Sequence, residues 1–218
     1  PCPLKDLTEV TMEDEILESL GVKRVLFLPD EYLAMNVARQ TGMAISFPEW
    51  DGQRLSRGVE PDSGAKVMIG WKGRCEVHER FTVQDVSDAR KQFPDVVILS
   101  HPECSPQVVA ASDFSGSTTE MIEFVEQMER GRYLLLTECS MGDNIAARNP
   151  QREMLRLCSV RCPHMNEITL EDTLESLRQL RHVIEVPEEI IRRSRLALER
   201  MLAIGGRHTK SGKGEQDE

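Results

Sequence analysis

Cys75 and His78 stand three residues apart in "WKGRCEVHERF", in a chain of 218 residues with only six cysteines and five histidines. A thiol and an imidazole at that spacing could ligate a metal, form a nucleophile with its base, or simply pack. No CxxC pair matches this motif, so local ligands alone do not make a closed zinc site. A second group lies in "SHPECS", where His101 and Glu103 flank Pro102 and could both reach one ligand; the plain alternative is a solvated turn set by the proline. A third is "SGSTTEM", where Gly116, Ser117, Thr118 and Thr119 precede a helical stretch. Backbone N–H groups and hydroxyls there suit an anion, although N-capping is the commoner use of such a run. "LCSVRCPHM" adds Cys158, Cys162 and His164 at a spacing too loose to specify a metal.

The elements that must position these groups repeat along the chain. "RVLFLPDEYLAMNVA" (24–38), "VVILSHPECSPQVVA" (96–110) and "YLLLTECSMGDNIAA" (133–147) each open with four or five apolar residues. Each then turns through polar residues into a helical pattern, as βαβ units of a parallel sheet do. Asp30, Glu103 and Glu138 all fall just past a strand's carboxyl end, the edge at which open α/β sheets bind ligands. The segment 51–67 is rich in Gly, Ser, Pro and charge and reads as a loop. Thr169 caps an expected helix over 169–181 whose leucines at 170, 174, 177 and 180 make one stripe. A second amphipathic helix is expected over 187–204, between Pro187 and a stop at Gly205-Gly206, followed by a disordered tail at 205–218.

Composition limits the function classes. With 39% hydrophobic and 29% charged residues the chain reads as globular, and a net charge of −10 argues against a general nucleic-acid binder. No apolar run approaches the roughly 20 residues of a membrane span, and "PCPLKDLTEV" lacks the pattern of a secretory signal. These features favour the cytoplasm, where thiols stay reduced and cysteines serve packing, metal binding or catalysis.

"GRCEVHERF", "HPECSPQVVAASDFSGSTTEMI", "TECSMG" and "CPHMNEITLEDTLESL", in this order, closely resemble the quinolinate synthase family from about residue 22 to residue 204. The resemblance implies an α/β fold of consecutive homologous three-layer αβα units with short parallel sheets, two of the family's three pseudo-symmetric domains. They would occupy 1–82 and 83–166, followed by C-terminal helices at 167–204. It also implies a [4Fe-4S] cluster with one cysteine from each domain, whose fourth iron acts as a Lewis acid. The reaction so implied condenses iminoaspartate with dihydroxyacetone phosphate to quinolinate in NAD biosynthesis, with L-aspartate oxidase or aspartate dehydrogenase as the upstream supplier and neither nucleic acid nor membrane as partner. Cys75 and Cys162, 87 residues apart, match two of the cluster ligands. The same step back from Cys75 passes Pro1, so the first ligand and most of the first domain are expected to be absent from this chain.

By the same resemblance His101 and Glu103 take catalytic, proton-transferring roles. His101, Pro102, Glu103, Ser117 and Thr118 line the substrate pocket, and His78 orients the ligand loop behind Cys75. Glu138 is a weaker candidate for the pocket wall. Cys2, Cys104, Cys139 and Cys158 match no ligand, and small buried residues are the preferred reading of the last three. Cys75, His101, Glu103, Thr118 and Cys162 are therefore expected on one concave face. Two rival readings are a non-catalytic α/β remnant that binds a small acid, and a zinc module built on Cys75, His78, Cys158 and Cys162.

Overall fold

The computed structural model describes residues 21–53, 56, 65–128, 131–155 and 160–211. Cys2, Cys158 and residues 212–218 of the expected tail lie outside them. The chain divides into two units, Pro1–Asn166 and Glu167–Glu218.

Among the described residues the first unit is α/β with two short sheets whose paired strands are parallel. Strands β1 (Arg24–Phe27), β2 (Ala44–Ser46) and β3 (Val67–Gly70) form the first, in the order β1-β3-β2. Val67 thus begins a strand rather than ending the 51–67 loop. Helix α1 (Glu31–Thr41) covers one face of this sheet, with Ala34, Val37 and Ala38 packed on Met68, Val25, Phe27 and Ile45. Asp30 starts that helix from an extended conformation by accepting the Leu33 N–H at 2.8 Å. Gly42 ends it in the left-handed region, φ 68°, that only glycine enters without cost.

A single 3₁₀ turn at His78–Arg80 and helix α2 (Val83–Gln92) lead into the second sheet. Its strands are β4 (Val96–Ser100), β5 (Phe114–Ser115), β6 (Arg132–Leu136) and β7 (Glu153–Leu155), in the order β5-β4-β6-β7. Helices α3 (Pro106–Ala111), α4 (Thr118–Gln127) and α5 (Cys139–Arg148) make the crossovers. Alternate residues of β4 and β6 supply opposite faces. Ile98, Leu134 and Leu136 pack with Val86 of α2 and Val108 of α3, whereas Leu99, Tyr133 and Leu135 pack with Met121 and Val125 of α4 and Ile145 of α5. Burial on both faces is why these strands read as unbroken apolar runs.

The strand order places a switch in the middle of this sheet. The chain leaves β4 towards β5 on one side, and leaves β6 towards β7 on the other. The carboxyl ends of β4 and β6 therefore border a crevice that no crossover covers, the usual ligand position in open α/β sheets.

The second unit holds α6 (Leu170–Gln179) and α7 (Glu188–Ser211). Thr169 and Asp172 close a reciprocal capping box at the start of α6. Helix α7 runs through Gly205 and Gly206 to Ser211, so the expected stop at that pair is not used and 205–211 are helical rather than disordered. Two glycines cost only about 1 kcal/mol each in a helix, which does not by itself end one. The leucine stripe of α6 is solvent-facing among the described residues, with Leu170 81% and Leu180 80% exposed. No helix among the described residues is long and apolar enough to cross a membrane.

Candidate functional site

Three segments meet at the β4–β6 crevice. The turn after β3 carries Cys75 and His78, the loop after β4 carries His101 and Glu103, and the residue after β6 is Thr137. The His78 ring lies between two partners: its Nδ1 is 2.9 Å from Glu103 Oε2 and its Nε2 is 3.0 Å from Thr137 Oγ1. His101 stacks on the same ring, with centroids 4.4 Å apart and planes inclined by 14°. The loop is anchored to β6 by the His101 N–H, which donates to the Leu136 carbonyl at 3.2 Å. Cys75, His78 and Glu103 each bring a ligand-type atom within 4.8 Å of the others.

Each part is held from behind by a buried polar side chain. Asp30, 1% exposed, accepts the Cys75 N–H on Oδ2 at 2.8 Å while its other oxygen caps α1. Asn36, equally buried on the inner face of α1, donates from Nδ2 to the carbonyls of Pro102 at 2.7 Å and Cys104 at 2.9 Å. Those carbonyls flank Glu103, so its backbone is pinned on both sides. Asp30 was expected at a ligand-binding edge; Asn36 and Thr137 were not foreseen. The sign of Asn36 in the sequence is a polar residue amid the apolar face of "YLAMNVA".

Burial and charge set the protonation states. Desolvation, with the neighbouring His78 adding to it, holds the His101 pKa down to about 4, so its imidazole is neutral near pH 7. Its Nδ1 accepts the Glu103 N–H at 3.3 Å, which assigns the proton to Nε2. Glu103 is held below the usual carboxylate range, chiefly by the hydrogen bond from His78. Burial pushes the Cys75 thiol up, and pushes that of Cys104 up to about 12.

The remaining expected residues divide. Cys162 is half-buried and packs, like Cys75, against the core cluster around Val77, Phe81 and Val160. The two loops also meet through His164 Nε2 and Glu76 Oε1 at 3.0 Å. Pro102 contributes its carbonyl to Asn36. Ser117 spends its hydroxyl on a capping box with Glu120 at the start of α4, and it and Thr118 are solvent-exposed. Below them, Ser100 and Ser115 pair across β4 and β5 with buried hydroxyls that have no protein partner. Glu138 caps α5 through the Ser140 N–H. Cys104 is buried, as preferred for the unassigned cysteines, but Cys139 is half-exposed at the start of α5.

Residues 10–203 match the family model described as quinolinate synthetase A protein. Among relatives, "Quinolinate synthase 2" of Mesorhizobium japonicum is 48% identical over 189 residues, covering 87% of this chain and 51% of its own length. A quinolinate synthase of Agrobacterium fabrum is 44% identical over 190 residues, covering 87% of this chain and 48% of its own. One from Xylella fastidiosa is 43% identical, with 87% and 49% covered. The chain spans about half the length of the relatives it matches.

Proposed function

The chain belongs to the quinolinate synthetase A protein family, and from that membership we propose that it carries two of three α/β domains, 1–82 and 83–166, of a cytoplasmic enzyme of NAD biosynthesis. The reaction is the condensation of iminoaspartate with dihydroxyacetone phosphate to give quinolinate, the imine being supplied by an aspartate-oxidising enzyme. The observation that carries the reading is the convergence of Cys75, His78, His101, Glu103 and Thr137 at the β4–β6 switch.

A [4Fe-4S] cluster fits the donor set on this face. Cys75 and Cys162 are free thiols, half-buried, and packed on one core cluster, and iron–sulfur clusters are held by such thiolates. When bound, the cluster supplies a Lewis-acidic iron towards substrate oxygen or nitrogen.

The side chains supply the proton chemistry. Neutral His101 offers its Nε2 proton to a carbonyl or departing hydroxyl. The Glu103 carboxylate, accepting a hydrogen bond from His78 at 2.9 Å, takes protons from carbon or nitrogen, while the imidazole that Thr137 orients holds that carboxylate in place. The N-terminus of α4 with Ser117 and Thr118 is the anion end, suited to a phosphate or carboxylate through backbone N–H groups and hydroxyls. The unpartnered Ser100 and Ser115 hydroxyls beneath it favour that placement.

The test is reconstitution. The chain is combined with the N-terminal half of the Mesorhizobium relative, loaded anaerobically with iron and sulfide, and assayed for quinolinate. Formation that disappears with Cys75→Ser or Cys162→Ser is the expected result. No product, under conditions in which the full-length relative turns over, rejects the assignment.

A further inference from the structure

We propose that Cys75, His78 and Glu103 hold a single divalent ion of the zinc class, and that this ion competes with the iron–sulfur cluster for Cys75. The ion site stands on geometry alone; the competition rests on the functional reading above.

The donor set is one sulfur, one nitrogen and one oxygen within 4.8 Å of one another. Tetrahedral zinc, with bonds of about 2.0 to 2.3 Å, places its ligand atoms roughly 3.3 to 3.6 Å apart, so closure needs movement of little more than an ångström. A soft thiolate beside an imidazole selects zinc or cobalt over magnesium or calcium. Three protein ligands leave the fourth position to water, the arrangement of open rather than structural zinc sites.

The surroundings are those of a built site. The Cys75 backbone is fixed by buried Asp30, the Glu103 loop by Asn36 on both sides, and His78 is 8% exposed. Metal-ligating histidines bind through one ring nitrogen and donate the other N–H to a second group. Here Nδ1 faces Glu103 at 2.9 Å, and Nε2 faces Thr137 Oγ1 at 3.0 Å. In the metal-free chain Nδ1–H donates to Glu103, and Nε2 accepts from the threonine hydroxyl. On binding, the ring proton moves to Nε2 and the hydroxyl turns from donor to acceptor, so no polar atom is stranded. The Cys75 thiol releases one proton to solvent, and the charges of thiolate, carboxylate and ion sum to zero. A neutral centre is what a half-buried position tolerates. Cys162 stands outside this group, which separates the site from any cluster that uses both cysteines. A thiolate bound to zinc is unavailable to iron, so the two occupancies exclude each other.

The metal-free, reduced 218-residue chain titrated with Co²⁺ tests the site. One equivalent is expected to bind with a near-ultraviolet thiolate-to-cobalt band and the visible bands of four-coordinate cobalt, and Zn²⁺ should displace it. Cys75→Ser removes the near-ultraviolet band, Glu103→Gln weakens binding at least tenfold, and Thr137→Val weakens it about 10–100-fold, as loss of a ligand-orienting partner does. Circular dichroism of each variant separates lost metal from lost fold, and Glu103→Gln serves if Cys75→Ser does not fold. A band that survives Cys75→Ser, or disappears in Cys162→Ser, overturns the site. One equivalent of Zn²⁺ should also block cluster assembly, read by visible absorption, in the chain combined with the relative's N-terminal half. Undiminished assembly overturns the competition. Cobalt binding needs neither substrate nor cluster, so its failure and that of the quinolinate assay are read independently.

Discussion

Glu103 faces two imidazoles, and the protonation of His101 and of Glu103 is linked to folding. His101 has a folded pKa of about 4 against an ordinary 6.5. The unfolded chain therefore takes a proton below pH 6.5 that the folded chain refuses. Stability is full above pH 6.5 and falls as the pH drops towards 4, by on the order of 2–3 kcal/mol. Glu103 is shifted downwards by His78, so its contribution is present above its ordinary pKa of 4.5 and is lost only as the pH falls below that. Urea midpoints at pH 7.5 and pH 5 should show the His101 loss, and His101→Gln should flatten it. In the reconstituted assay, Glu103→Gln is expected to lower turnover by about 10²–10⁴-fold while circular dichroism still shows a folded chain. The Cys-x-x-His and His-Pro-Glu groups were visible in the sequence as chemistry. Their meeting was expected only through the family resemblance and not from local spacing, because His78 and Glu103 lie 25 positions apart and the β3–β4 connection brings them together. Thr137 opens the motif "TECSMG", but nothing there marks it as a partner of His78, since a hydroxyl one residue past a strand is ordinary turn chemistry.

Among the elements, α1 does more than cover the first sheet, because Asn36 joins it to the loop after β4. Asn36→Ala leaves one buried and one part-buried carbonyl without this partner and is expected to cost roughly 1–3 kcal/mol. For a chain of this size that is a melting-temperature drop of several degrees, and Asn36→Gln should not restore it because the longer side chain does not fit. Ser117→Ala removes a helix cap and should cost about 1 kcal/mol. If Ser117 also holds substrate, KM should rise beyond anything that loss of stability explains. The three long βα segments were legible because strands buried on both faces leave continuous apolar runs, and β1, β4 and β6 with α1, α3 and α5 stand where those runs predict. Strands β2, β5 and β7, with two or three residues each, are too short for periodicity to register. The sequence misplaces the end of α7 because Gly205-Gly206 reads as a stop, whereas the helix continues through the pair to Ser211.

At the scale of the whole molecule, the chain spans about half of its relatives' length, and the cluster reading assigns it two thiolates where the family uses three. The 218-residue chain reconstituted alone is therefore expected to give no quinolinate above background, whereas addition of the relative's N-terminal half should restore it. Robust turnover by the chain alone would move another thiol into the ligand set. The leucine stripe has a different consequence, for calorimetry. Helix α6 has no buried residue, and helices of ten residues without packing are marginal in water, whereas the first unit has sandwiched cores on both faces of its larger sheet. Heating this chain should then not be an all-or-none event. Helical ellipticity should begin a gradual decline well before the near-ultraviolet signal of Tyr133 collapses, and the van't Hoff enthalpy should fall short of the calorimetric one. A single melting temperature would describe neither part of the molecule.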